Sequence, residues 1–219
     1  MSGSPVPGSK PEPDQSCALC PRLAELRDQY RALEPSWHNG PVASFGDPSA
    51  RLLIVGLAPG LRGANRTGRP FTGDYAGDLL YGTLLNLGFA TGIYAARADD
   101  GLTLIDTMIS NAVRCVPPEN KPTPAEVNTC RVFLANRIRA QTSVRAIVAL
   151  GRIAHDSTVV ALGHKRSAYP FSHGARHDVR PGVVLFDSYH CSRYNTSTRV
   201  LTPEMFSEVF AGVKAHLSA

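Results

Sequence analysis

Phe71 and Asp74 lie three residues apart in a glycine-rich stretch, an aromatic ring and a carboxylate at a spacing that suits a flat heterocycle stacked beside an acid. The stretch runs from Gly56 to Asp74 and holds five glycines and two prolines, so its backbone can approach a ligand closely. It lacks the Gly-Lys-Ser/Thr ending of a phosphate loop, and Gly56, Gly60 and Gly63 are not spaced as a dinucleotide fingerprint. A plainer assignment makes Phe71 a core residue and Asp74 the N-cap of a helix beginning near Gly77. Arg62, Arg66 and Arg69 add positive charge to the same loop, either as a solvated face or as a surface for phosphates. Two further groups could join such a site. The amide of Asn111 offers both a donor and an acceptor to a base edge, unless it satisfies the local backbone. His190 opens the segment Tyr189–Thr202, and a histidine in a loop at a strand end is placed for proton chemistry or polarisation.

Five cysteines invite a second question. Cys17 and Cys20 form a C-x2-C pair, while Cys115 and Cys130 stand farther along with fourteen residues between them. Four thiolates in this arrangement suit zinc and an iron–sulfur cluster equally well. Cys191 falls inside the Tyr189–Thr202 loop and is not assigned to a metal.

The elements that position these residues follow from hydrophobic patterning. Short apolar runs at Arg51–Gly56, Met108–Val113, Ala146–Leu150 and Val183–Phe186 read as buried parallel strands. Amphipathic segments at about Arg22–Arg31, Asp78–Leu87, Pro124–Arg139, Arg152–Leu162 and Pro203–His216 read as helices. The alternation predicts an α/β fold, a three-layer α/β/α sandwich around a largely parallel sheet of four strands. In that architecture ligands bind beyond the carboxyl ends of the strands. Those ends carry the loops with Phe71, Asp74, Asn111 and His190. Residues 1–16 hold four prolines and no apolar periodicity, and are expected to form a disordered leader ahead of one domain over residues 17–219.

Composition frames the alternatives. Of 219 residues, 43% are hydrophobic and 19% charged, which is ordinary for a globular chain and excludes fibrous or disordered classes. Twenty-three Lys and Arg against 18 Asp and Glu leave a net charge of +5, compatible with a nucleic-acid partner or with simple solubility. No apolar run approaches 20 residues and no secretory leader is evident, so a cytoplasmic protein is expected. It is also expected to be a monomer.

The string from Gly56 to Asp78 resembles the first motif of the iron–sulfur uracil-DNA glycosylases, in their family 5 branch. The segment Tyr189–Thr202 is similar to the second motif, with His190-Cys191-Ser192 where His-Pro-Ser is usual, and Ser110–Pro118 resembles the strand whose Asn reads the uracil edge. The likeness extends from Cys17 to the C-terminal helix. It implies a DNA repair enzyme that flips a deaminated base (uracil, hypoxanthine or xanthine) out of double-stranded DNA and hydrolyses its glycosidic bond, leaving an abasic site. Related families carry Asp, Asn or Glu near Ala58–Gly60 to direct water. Here Ala58, Pro59 and Gly60 offer no such side chain, so the resemblance shifts that duty to Asp74. It also implies that His190 stabilises the departing base. Gly56, Leu57, Ala58, Gly60, Phe71 and Asn111 would hold that base. Arg66, Arg69, Ser192, Arg193, Tyr194 and Asn195 would contact DNA, with Arg193 and Tyr194 as wedges. It further implies a structural [4Fe–4S] cluster on Cys17, Cys20, Cys115 and Cys130. The three motifs contain no lysine, so no Schiff-base lyase step is expected. A redox protein or a zinc-stabilised nucleic-acid module would share the cysteines and have no use for the Phe71, Asp74 and His190 constellation.

Overall fold

A computed structural model of the chain describes residues 10–219. In chain order the helices and strands are α1 (Pro21–Leu33), β1 (Phe45–Gly46), β2 (Leu52–Gly56), α2 (Ala64–Thr67), α3 (Tyr75–Leu87), β3 (Ala90–Thr91), β4 (Thr103–Leu104), β5 (Thr107–Asn111), α4 (Pro124–Ala140), β6 (Ala146–Leu150), α5 (Arg152–Ala161), β7 (Arg176–Arg180), β8 (Val183–Ser188), α6 (Arg193–Ser197) and α7 (Pro203–Ser218). The four apolar runs form the parallel core, in the order β5, β2, β6, β8.

Each parallel strand is buried on both faces, and alternate residues serve different layers. Leu52 and Ile54 of β2 face a core completed by Leu80, Tyr81 and Leu84 of α3 and by Phe206, Phe210 and Val213 of α7. Leu53 and Val55 face the opposite core, built with Leu134 and Ile138 of α4 and Ala154 and Val159 of α5. Double-sided burial is why these strands read as continuous apolar runs instead of alternating ones.

The sheet has six strands where four are expected. β1 and β7 are added antiparallel at the two edges, against β5 and β8. Neither announces itself in the sequence. β1 is two residues long, and β7 reads Arg-His-Asp-Val-Arg with only Val179 buried. A short or charged edge strand protects its open hydrogen-bonding row from other chains and for the same reason carries no hydrophobic signature.

Of the expected leader, residues 1–9 lie outside the described residues, while residues 10–16 run along the body. The Glu12 carboxylate accepts from Arg114 Nη1 at 2.8 Å and from Arg137 Nη2 at 2.6 Å. Both arginines are buried, so Glu12 neutralises charge that the interior cannot solvate, and two arginines hold its own carboxyl below the usual range despite burial. The placed chain therefore begins before Cys17.

Candidate active site

A cleft of about 730 Å³ opens beyond the carboxyl ends of the parallel strands, lined by Leu57, Ala58, Gly60, Phe71, Asp74 and His190 among others. β2 and β5 end level with each other, Gly56 paired with Asn111. A Cβ at Gly56 would collide with both the Asn111 Oδ1 and the Phe71 ring, so glycine there lets the strand end, the amide and the aromatic meet. Asn111 Oδ1 is buried with no hydrogen-bond partner among the described residues. An unpaired buried acceptor costs about 1–3 kcal/mol, so this amide is not a fully satisfied strand terminus, although it stands behind the residues that line the cleft.

Phe71 has φ 52°, in the left-handed region that an aromatic residue seldom adopts. The loop is fixed around it. Tyr81 Oη donates to Pro70 O at 2.6 Å and Tyr94 Oη to Phe71 O at 3.2 Å. Beneath them Arg69 donates to both carboxylate oxygens of Asp100 at 2.8 Å and through Nε to Thr72 Oγ1 at 2.7 Å. Arg69 is 4% exposed, and its guanidinium lies over the rings of Phe45, Tyr81 and Tyr94. This corrects its expected place among the DNA-contacting arginines: committed to a buried bidentate pair, it braces the loop from within. The same hydrogen bonds hold the Asp100 carboxyl well below the usual carboxylate range. Arg66, in contrast, is exposed.

Asp74 caps a helix and lines the cleft with the same carboxylate. Its Oδ1 accepts from Gly77 N at 3.2 Å and caps α3, which begins at Tyr75. Its Oδ2 lies in a bay left by Gly60 and Gly63, where a Cβ on Gly60 would stand 2.9 Å away and one on Gly63 would overlap it. Burial pushes the Asp74 carboxyl above its ordinary range, Asp78 adds to the rise, and the N–H groups of Gly77 and Ala76 oppose it. His190 faces this loop across the cleft, its ring stacked near Phe71 with centroids 6.1 Å apart. Desolvation drives the imidazole down to about 4, so it is neutral at physiological pH. Its ring nitrogens have no hydrogen-bond partner among the described residues.

Ser192 and Arg193 also line the cleft, and Arg193 lies over the Tyr75 ring at 5.3 Å. Tyr194 is 73% exposed. Asn195 differs from expectation in detail: its amide Nδ2 donates to His190 O at 2.8 Å instead of pointing outward. Tyr75 and Asn120 line the cleft without having been singled out as site residues in the sequence. Tyr75 begins α3, and Asn120 sits in a tight turn at φ 57°. The Pro-Pro pair ahead of Asn120 marks such a turn, although not its reach into the cleft.

Cys17, Cys20, Cys115 and Cys130 come together around one small cavity under α1, beside Leu23 and Arg114. Burial drives the Cys115 thiol up to about 12 and Cys130 to about 11, and neighbouring thiols add to both rises. Arg114 N donates to Cys130 Sγ at 3.3 Å. Among the described residues, the metal-capable side chains gathered within 4.8 Å of one another are His155, His177 and Asp187. These already bond among themselves: His155 Nδ1 lies 2.7 Å from Asp187 Oδ1, His177 Nε2 lies 3.1 Å from Oδ2, and His155 Nε2 lies 2.8 Å from Tyr169 O. They brace α5, β7 and β8 beneath the His190 loop. Cys191 is buried apart from the other thiols and donates to Ala76 O at 3.5 Å. No helix among the described residues is long and apolar enough to cross a membrane.

The Uracil DNA glycosylase superfamily model matches residues 43–214. The chain is 46% identical over 205 residues to the type-5 uracil-DNA glycosylase of Thermus thermophilus, covering 91% of this chain and 93% of that protein. It is 40% identical over 198 residues to the type-5 enzyme of Pyrobaculum aerophilum, covering 89% and 86%. It is also 36% identical over 114 residues to the type-4 uracil-DNA glycosylase of Archaeoglobus fulgidus, covering 52% and 49%. With the family match spanning all three strand-end loops and the cleft they enclose, the chain belongs to the uracil-DNA glycosylase superfamily.

Proposed function

We propose that the chain is a monofunctional uracil-DNA glycosylase that extrudes a deaminated base from DNA and hydrolyses its N-glycosidic bond. The observation that carries this reading is the convergence of Phe71, Asp74 and His190 on one cleft at the strand ends. The extruded base stacks on Phe71, its edge met by Asn111 and by backbone amides from Gly56 to Gly60. As the bond between C1′ and the base breaks, its electron pair leaves with the base, and the neutral His190 imidazole donates a hydrogen bond to the oxygen that gains charge. Asp74 Oδ2 orients a water toward C1′, stabilises the cationic sugar and takes the water's proton. The departing base anion is protonated from solvent as Asp74 returns the water's proton, so the products are the free base and an abasic site. Exposed Arg66, Arg193 and Tyr194 meet the duplex, the last two as wedges.

Hypoxanthine and xanthine fall within this reading, because Ala58, Pro59 and Gly60 set no fixed side-chain demand on the ring that enters. Cys17, Cys20, Cys115 and Cys130 would hold a [4Fe–4S] cluster. Four converging thiols, of which Cys130 is buried and the others are partly exposed, line one cavity without being drawn into the tight shell of a single ion; that fits a polynuclear centre, which would staple the N-terminal segment to α4. A cytoplasmic monomer acting on double-stranded DNA completes the proposal.

The test is single-turnover incubation with duplex oligonucleotides carrying one uracil, hypoxanthine or xanthine, followed by alkali. Strand scission at the uracil that depends on alkali is the expected result. Binding without base release would overturn the enzyme assignment, and release of uracil alone would confine the substrate to the pyrimidine.

A further inference from the structure

We propose that Asn195 is a positioning residue that sets the direction of the His190 imidazole. This rests on the glycosylase reading for its catalytic consequence, and on the loop geometry alone for the positioning itself. Since the His190 ring makes no hydrogen bond among the described residues, its aim depends on the backbone that carries it. Its carbonyl accepts from Asn195 Nδ2 at 2.8 Å. Asn195 is itself held at two further points: its N–H donates to Ser192 Oγ at 3.3 Å and its carbonyl accepts from Leu201 N at 3.0 Å. The side chain thus ties the six residues from His190 to Asn195 into a closed arch whose far end is anchored in α6.

The neighbours of His190 complete the clamp. Tyr189 N donates to His173 Nδ1 at 3.1 Å, and Cys191 Sγ donates to Ala76 O at 3.5 Å. Gly151, at φ 93°, packs so closely beneath that a Cβ there would stand 3.3 Å from His190 Cβ. The chain before and after His190 is fastened to other elements, and the carbonyl of His190 itself is fastened by Asn195. The Nδ2 N–H bonded to this carbonyl is committed to the loop, whereas the second N–H of the amide remains available to another acceptor. The geometry thus gives Asn195 an inward role beside any DNA contact.

The experiment is a double-mutant cycle on single-turnover uracil release at saturating enzyme, with Asn195→Ala and His190→Ala. Asn195→Ala is expected to slow release by roughly tenfold in the wild-type background, and to have little further effect once His190 is gone. A loss that persists undiminished in the His190→Ala background, or a variant that weakens DNA binding and leaves the saturated rate unchanged, overturns the proposal. Asn195→Asp, of equal size but without the donor, serves if the alanine variant does not fold. NMR of the His190 ring in DNA-free protein supplies a readout independent of base release: the ring signals should shift in either Asn195 variant. Unchanged signals overturn the positioning role. Failure of the wild-type protein to release any base would count against the glycosylase reading and leave the NMR result standing.

Discussion

The cleft and the cysteine cavity are both built from buried polar groups, and they treat those groups in opposite ways. At the cleft the His190 ring is left without a partner, Phe71 is held at a positive φ and the Asp74 carboxyl rises under desolvation, while the neighbouring strand end buries an unpartnered Asn111 Oδ1. Around the cysteines, fixed contacts cross the chain: Glu12 bridges Arg114 and Arg137, Arg22 pairs with Glu126 at 2.7 Å, and Arg27 Nη1 donates to Cys17 O at 2.8 Å. The fastening is incomplete, since among the described residues Nε of Arg27, Arg114 and Arg137 is buried without a partner, yet the charged groups there are paired across the chain while Asp74 meets no cation. The contrast is one of ion pairing: charges are matched around the cysteines and left unmatched at the cleft.

Removing a thiol is the strongest test of the fastening side. Cys115→Ser should abolish bound iron, about four atoms per chain in anaerobically purified protein, and cost roughly 5 kcal/mol or more of stability. Cys191→Ser should keep the iron. Stoichiometric zinc in the wild type would remove the cluster from the account.

Next in size is Arg69→Leu, which strands Asp100 in the interior and should destabilise the fold by about 3–5 kcal/mol. Thermal or urea unfolding measures it. An unchanged stability with weakened DNA binding would return Arg69 to the phosphate-binding surface and blur the two regions.

On the cleft side, Asp74→Asn should slow single-turnover base release by roughly a hundredfold, about 2.7 kcal/mol, with DNA affinity nearly unchanged. Asp74 must be ionised to act, and its pKa is raised, so the wild-type rate should fall with acid at a higher pH than an ordinary aspartate would set. The asparagine variant should lack that limb. A near wild-type rate would relocate the base.

The smallest effect concerns stability alone. The His190 pKa falls from an ordinary 6.5 to about 4 in the folded chain. Below pH 6.5 the unfolded chain therefore binds a proton that the native one refuses, so stability is full above 6.5 and declines as pH drops toward 4. His190→Gln should lose less stability than wild type between pH 7 and pH 5, by on the order of 1 kcal/mol. Parallel losses in the two proteins would place the imidazole in water.

How much was legible in the sequence follows the same division. The four parallel strands were plain because double-sided burial leaves unbroken apolar runs, and the cleft was plain because glycine, aromatic and carboxylate sit close together in one loop. What escaped depends on distance along the chain. Arg69 looked like a surface cation because Asp100, its partner, stands 31 residues away in a segment without pattern. Glu12 was hidden among prolines, more than a hundred residues before the arginines it serves. Asn195 read as a DNA contact since nothing in its spacing shows that its amide turns back to His190. β7 was invisible because an edge strand need not be apolar.

The separation between Cys17 and Cys130 also bears on how the molecule is made. The first two thiols leave the ribosome more than a hundred residues ahead of the last, and at about 5–20 residues per second the wait is on the order of ten seconds. Glu12 waits equally long for Arg137. During that interval the nascent chain exposes reduced thiols and an unmatched carboxylate, and the cavity they will line does not exist until α4 has emerged. This corner is therefore completed only after α4 has emerged, long after Cys17 and Cys20 are translated, and coordination of a metal by all four thiols comes after β2 and β5 have been synthesised.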